Sequence, residues 1–381
     1  MIYLKQKDKT YKRIMATMLP AYIVILLVFN IITSDRTFSE MENRVLEQAP
    51  SFNIGQLLHG NFTTNYEKYI ADQFAFRDFW IGVKSHSEKI LGKKDSNGVY
   101  LGRDGYLLQN FNKPMEEDFK NNINIINSFS SSIPEVNKYF MLVPNAVEIL
   151  KDKLPPYAPV SNQLAFINKV EQSLSTDIKF IDVYNALYSK KDDYTFYKTD
   201  HHWTTKGAYY SYKEMGNTMD FIPKEESDFN VEQITDSFFG SLYSKSGFKN
   251  IAPDTINLYI PKSKEKYNID FYGTDKPTTS LYSMDNINKK DKYTIFLGGN
   301  HPLIKITTNS NNKEKLLIIK DSYANSIVPF LTGHYGEIYM VDLRYYDGNL
   351  KEFIESNSID NLLFLYNGNT FFEDKSIENI M

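Results

Sequence analysis

Three stretches constrain the fold of this 381-residue chain more than anything else in it: YFMLV at 139–143, LLII at 316–319 and LLFL at 362–365 are apolar throughout. A strand that packs on one face alternates apolar and polar residues, whereas an uninterrupted short run suits a parallel strand covered on both faces. Strand-like runs at 138–143, 178–183, 293–297, 315–319, 337–341 and 361–365 are separated by helical stretches at 118–131, 161–175, 204–219, 323–332 and 349–356. Alternation of this kind predicts a doubly wound α/β sandwich with a mostly parallel sheet. The polar stretch 221–291 breaks the alternation and reads as an irregular insertion.

The N-terminus adds a second constraint. Lys5, Lys7, Lys9, Lys12 and Arg13 precede the uncharged run IMATMLPAYIVILLVFNII at 14–32. As a helix, that run rises to nearly the thickness of a bilayer core. Cations ahead of the span predict a cytoplasmic N-terminus and a bulk outside the membrane. A cleavable signal peptide is the rival reading, but it has a shorter apolar region and a small-residue cleavage site, and TSDRTFSE offers none. The expected organisation is a cytoplasmic tail at 1–13, a transmembrane anchor at 14–33, a linker and helical segment at 34–92, and an α/β domain at 93–381. In the helical segment Phe62, Tyr66, Tyr69, Ile70, Phe74 and Phe76 recur at spacings that make one apolar face. KKDSNGVYLGRDGYLLQ at 93–109 reads as a β-hairpin, because Asn-Gly and Asp-Gly suit positive-φ turns.

Composition removes several functions. Without cysteine there is no thiolate nucleophile, thiolate metal site or disulfide. A net charge of −4 with no basic surplus argues against a nucleic-acid partner. What remains is the chemistry placed after strands, since ligands of an open α/β sheet sit beyond the carboxyl ends of its strands. Ser322 follows the run 315–319 and precedes a helix, which presents its hydroxyl at the sheet edge. Either Asp321 or Ser322 also serves simply as a helix cap. The segment TDHHWT at 199–204 offers a base: Asp200 and His202 lie two apart, which in an extended segment puts both side chains on one face. His202 would take the Ser322 proton while Asp200 fixes its tautomer, and His201 would point away. Two alternatives are a structural helix start, with Thr204 or Thr205 as cap, and a metal held by Asp200, His201 and His202. For the metal, His59, His86, His301 and His334 show no ligand spacing.

TDHHWTTKGAYYSY resembles the signature of the DHHW protein family, named for Asp200-His201-His202-Trp203. ADQFAFRDFW, NGVYLGRDGYLL, GSLYSKSG, LGGNHPLIKI, KDSYANSIVPFL and VDLRYYDG fit the family pattern in order, so the resemblance covers nearly everything after residue 60. That family is similar to the alginate O-acetyltransferase accessory proteins, within the wider SGNH-like acyltransferases. The resemblance implies an SGNH-hydrolase-like three-layer α/β/α sandwich and a triad of Asp200, His202 and Ser322. The Asp-x-His element precedes the serine, as in the alginate-acetylation relatives, and Lys320 stands where the usual Gly-Asp-Ser has glycine. It further implies an oxyanion-hole amide, which Asn300 or Asn367 could supply since both follow strands; Arg344 and Tyr366 also follow strands and are candidates to orient acyl group or sugar, or equally structural residues. The implied function is O-acetylation of a cell-surface or exported polysaccharide, without cofactor or metal, beside a multi-pass membrane acyltransferase. A carbohydrate acetyl-esterase using the same triad, and a non-catalytic glycan-binding or assembly protein of the envelope, are the alternatives.

Overall fold

The computed structural model describes residues 2–39, 44–58, 60–263, 265–273 and 277–380. His59 and parts of the linker and of the 221–291 segment fall outside the described residues. The chain divides into two compact units, Met1–Gly92 and Lys93–Met381.

The first unit opens with the helix Ile2–Ile32. Its stretch Tyr11–Ile32 spans 22 residues with a mean hydropathy of 2.3, and its side chains are not buried. It is long and apolar enough to cross a membrane, as an anchor or a signal sequence would be. Of the apolar face expected in the helical segment, Phe62, Tyr66, Tyr69 and Ile70 lie on the helix Asn61–Gln73, while Phe74 and Phe76 fall in the break before a second helix, Arg77–Ile90. The two helices part at Phe76, whose φ of 56° is left-handed and interrupts the helical ladder.

The second unit is built on a seven-stranded sheet. Its strands are β1 (Asn137–Val143), β2 (Ile178–Phe180), β3 (Tyr267–Phe271), β4 (Leu303–Thr308), β5 (Lys315–Lys320), β6 (Glu337–Val341) and β7 (Asn361–Asn367), in the spatial order β3-β4-β6-β5-β7-β1-β2. The five strands from β6 to β2 are parallel, and β4 and β3 add antiparallel at one edge. All seven residues of β7 are buried, as are Lys138–Val143 of β1 and Leu316–Lys320 of β5. These are the strands that carry the uninterrupted apolar runs. β3 and β4 were not legible in that way: YNIDF and LIKITT are half-buried and partly polar, as suits an edge. The run 293–297, expected as a strand, is instead a 3-10 turn at Lys292–Ile295 followed by Leu297, Gly298 and Gly299 at positive φ. Tyr293, Ile295 and Phe296 fill a small second core with Tyr197, Phe238, Ile256 and Leu258, and the only ladder contact of the run is an isolated bridge from Phe296 to Tyr282 among the described residues.

At 95–109 the chain forms three short antiparallel strands, Asp95–Ser96, Val99–Leu101 and Leu107–Gln109. The two turn pairs adopt the backbone their sequences favour: Asn97 and Gly98 have φ of 50° and 73°, Asp104 and Gly105 57° and 79°. Within 221–291, Phe229–Phe238 and Asp254–Pro261 pair as an antiparallel ribbon, and β3 joins the main sheet. β6 lies on one side of β5 and β7 on the other, so the winding reverses at β5. The carboxyl ends of β5 and β7 therefore face a switch-point crevice, where α/β sheets bind ligands. Ser322 lies just past β5, and Asn367 closes β7.

Candidate active site

The loop TDHHWT is closed by a bridge pairing Phe196 with Trp203 and leads into the helix Thr205–Met219. Thr204 caps that helix through the Gly207 N–H at 3.2 Å. The loop is held from below by Asp254, which is buried and accepts four hydrogen bonds. One oxygen takes Lys198 N at 2.8 Å and the Tyr194 hydroxyl at 2.5 Å; the other takes Thr199 N at 2.7 Å and the Thr199 hydroxyl at 2.5 Å. Burial raises the Asp254 carboxyl, against these hydrogen bonds.

Asp200 and His202 meet through a tight bend rather than through the alternation of an extended segment. Asp200 Oδ1 accepts the His202 backbone N–H at 3.0 Å and faces His202 Nδ1 at 2.5 Å. A carboxylate that accepts from the amide two residues on makes an Asx turn, which brings both side chains together without a strand. Asp200 Oδ2 accepts Ser241 N at 2.7 Å. Burial works to raise the Asp200 carboxyl, but the adjacent histidines and these hydrogen bonds hold it well below the usual carboxylate range. His202 Nε2 lies 2.7 Å from Ser322 Oγ. With Nδ1 protonated and donating to Asp200, Nε2 is left bare to accept from the serine.

Two aromatic groups fix this arrangement. The Tyr293 ring lies flat on His202, centroids 3.7 Å apart and planes within 10°, and its hydroxyl donates to Ser322 O and Ser326 Oγ at 3.2 and 3.0 Å. Trp203 is fully buried and donates from Nε1 to Ser326 Oγ at 2.9 Å. His201 turns away from the serine: its Nδ1 pairs with Ser241 Oγ at 2.6 Å. Its side chain keeps 30% exposure, yet burial of the rest and the neighbouring His202 depress its pKa. Donor atoms of Asp200, His201 and His202 lie within 4.8 Å of one another, as a metal would need. In this arrangement both Nδ1 atoms are engaged within the protein, one by Asp200 and one by Ser241.

The remaining sequence-selected residues divide sharply. Asn367 is buried, with both amide hydrogens committed: Nδ2 donates to Asp321 Oδ2 at 2.6 Å and Thr370 Oγ1 at 2.7 Å. It braces Asp321, whose other oxygen takes Tyr323 N at 2.8 Å, and burial raises the Asp321 carboxyl. Asn300 is exposed, and its side-chain oxygen is held by Lys320 Nζ at 2.9 Å. Arg344 grips Asp342 in a fork, Nε at 2.8 Å and Nη2 at 2.6 Å. The Tyr366 hydroxyl is buried with no hydrogen-bond partner among the described residues. Reasoning from sequence missed Tyr293, Ser241, Asp254 and two of the groups around Lys320, Asn325 and Asp342. The motif GSLYSKSG was the one signal for Ser241.

A family model described as DHHW protein matches residues 95–341. No curated protein sequence matches the chain. Among solved structures, a DHHW family protein from Eubacterium siraeum is 28% identical, covers 75% of this chain and 95% of its own, and superposes with a TM-score of 0.66. Bacillus cereus PatB1 with a sulfonyl adduct is 22% identical, covers 74% and 98%, and has a TM-score of 0.64. A second structure of PatB1 is 23% identical, covers 72% and 97%, and has a TM-score of 0.60. At these identities PatB1 establishes the shared fold.

Proposed function

This chain belongs to the DHHW protein family, and from that premise we propose that it is a membrane-anchored, extracytoplasmic O-acyltransferase that acetylates a glycan through Asp200, His202 and Ser322. The observation that carries the reading is the unbroken hydrogen-bonded line from Asp200 Oδ1 through the His202 ring to Ser322 Oγ. Ser322 Oγ attacks the acetyl carbonyl of the donor as His202 Nε2 takes its proton, and that proton leaves with the donor's alcohol or thiol. The resulting acetyl-serine is attacked by a sugar hydroxyl, whose proton passes to His202 and returns to Ser322 as the serine leaves. Two easier transfers replace one difficult one. Asp200 stays ionised through both steps and stabilises the imidazolium. Of the two candidate amides, Asn300 suits the oxyanion better, because the Asn367 hydrogens are engaged inside the fold. The apolar N-terminal helix supports the membrane setting, and the acetyl group would then reach Ser322 from a multi-pass membrane acyltransferase.

The test uses the full chain in detergent with p-nitrophenyl acetate as donor and oligosaccharides as acceptors. Ser322→Ala and His202→Ala are expected to lose about 10⁴-fold in turnover. A sulfonyl fluoride is expected to label Ser322 and no other residue, read by peptide mass. Wild-type turnover in Ser322→Ala would overturn the serine mechanism. Acetate release that no oligosaccharide diverts into acetylated glycan would replace transfer by hydrolysis.

A further inference from the structure

Lys320 is the last residue of β5, two positions before Ser322, and it is 1% exposed. A buried ammonium is costly unless its hydrogens find acceptors. Here Nζ donates to Asn300 Oδ1 and Asn325 Oδ1, both at 2.9 Å, and lies 3.6 Å from Asp342 Oδ2. Those acceptors come from three elements: the Gly298-Gly299-Asn300 loop, the first turn of the helix Ala324–Leu331, and the end of β6. Asn325 completes the clamp, since its Nδ2 donates to Gly299 O and Asn300 Oδ1, each at 3.3 Å. Burial lowers the Lys320 pKa to about 8, with Asp342 opposing, so the amine is mostly charged at neutral pH.

An ammonium has only hydrogens to offer, so it cannot face the NH₂ end of a carboxamide. Lys320, with the longer bond from Asn325, therefore sets which way Asn300 points: oxygen toward the ammonium, NH₂ on the opposite side of the carboxamide. The same contact draws electron density toward the amide oxygen and strengthens the opposite N–H as a donor. An apolar residue would fill the strand end more cheaply but would leave the Asn300 oxygen only the longer 3.3 Å bond from Asn325. We infer that Lys320 is a positioning residue for acyl transfer, holding the Asn300 amide oxygen so that its NH₂ is presented to the oxyanion formed on Ser322. This rests on the acyl-transfer reading above.

The test is a double-mutant cycle on the full chain with p-nitrophenyl acetate, using Lys320→Met, Asn300→Ala and the pair, beside Asn300→Asp and Ser322→Ala. Asn300→Ala is expected to cost about 10²–10³-fold in kcat, the scale of one oxyanion donor, with KM little changed. Lys320→Met is expected to cost about 10²-fold in kcat. The pair should lose no more than Asn300→Ala alone, because Lys320 acts through Asn300. Asn300→Asp keeps an oxygen for Lys320 but removes the NH₂, so it should melt above Asn300→Ala and still lose turnover. Additive losses in the cycle, or Lys320→Met with wild-type kcat, overturn the assignment. If Lys320→Met does not fold, the Asp and Ala variants decide: equal melting, or an active Asn300→Asp, overturns it as well. Activity in Ser322→Ala would defeat the acyl-transfer reading itself, whereas an inactive Ser322→Ala beside an unimpaired Lys320→Met removes only the role of Lys320.

Discussion

A single methyl group added at Gly240 should disable the site without unfolding the protein. A Cβ built there would lie 2.2 Å from Asp200 Cβ, 2.4 Å from Asp200 Oδ2 and 2.7 Å from Asp200 Cα. Carbon atoms normally approach to about 3.5–4.0 Å, so the overlap exceeds ~1 Å and part of it falls on backbone. Neither side gives easily. Asp200 is buried and takes hydrogen bonds from His202 N, His202 Nδ1 and Ser241 N. Gly240 N donates to Thr199 Oγ1 at 3.0 Å, which ties the same two loops together. Gly240→Ala must therefore push Asp200 about 1 Å from its place, or push Ser241 N away from it. A misplacement of that size costs about 10²-fold in turnover. Complete loss of the Asp200–His202 bond would extend the cost toward ~10⁴-fold. Overpacking of this kind destabilises by about 1–3 kcal/mol, which a domain of this size survives with melting lowered by a few degrees. The assay is p-nitrophenyl acetate turnover beside thermal unfolding of the same sample. A cooperative Gly240→Ala protein within about threefold of wild-type turnover would refute the claim that catalysis depends on where Gly240 lets Asp200 sit.

Tyr293→Phe removes one hydroxyl and should cost little, about tenfold at most, because Ser326 Oγ keeps its bond from Trp203. Tyr293→Leu also frees the face of His202 and should cost more in kcat than in KM; equal effects of the two variants would show that the stacked ring is idle. The His334 ring is held down to about 4, mainly by burial and then by Lys224, against an ordinary 6.5. The unfolded chain therefore binds the extra proton first, so this contribution is intact above about 6.5 and is lost as the pH falls toward 4. Melting temperature should drop across that window more steeply in wild type than in His334→Gln, and parallel curves would contradict the assignment.

How much of this was legible beforehand follows from what each residue packs against. β1, β5 and β7 declared themselves because both of their faces are covered, which makes their central residues apolar without interruption. β3 and β4 carry mixed sequences because they close the antiparallel edge. The segment 293–297 reads as a strand for the same reason it is buried, and only the Gly298-Gly299 pair after it hints at a turn. In the site, Asp200, His202 and Ser322 stood out because few residue types perform proton transfer and acyl capture. Tyr293 did not, since an aromatic in an apolar run has an ordinary explanation, and Lys320 stood out only as a departure from Gly-Asp-Ser, with nothing to show what it contacts. Their roles exist only once distant loops meet: Tyr293 lies 29 residues from Ser322, and Lys320 acts on residues before and after itself.

The stretch 221–291 that interrupts the α/β alternation is also what makes the Asp-His bend possible. A loop that folds back sharply exposes backbone N–H groups that neither helix nor sheet satisfies, and burying them unpaired is costly. Lys198 N and Thr199 N find their acceptor in Asp254, at the start of the second ribbon strand. Asp200 finds its third donor in Ser241 N, just past the first ribbon strand. Gly240, beside it, leaves the space that Asp200 occupies. An apolar insertion could pack against the domain but could not supply the Asp254 carboxylate. The loop carrying Asp200 and His202 is thus shaped by the Asp254 carboxylate, the Ser241 amide and the space at Gly240, all of which arrive only after it in the chain.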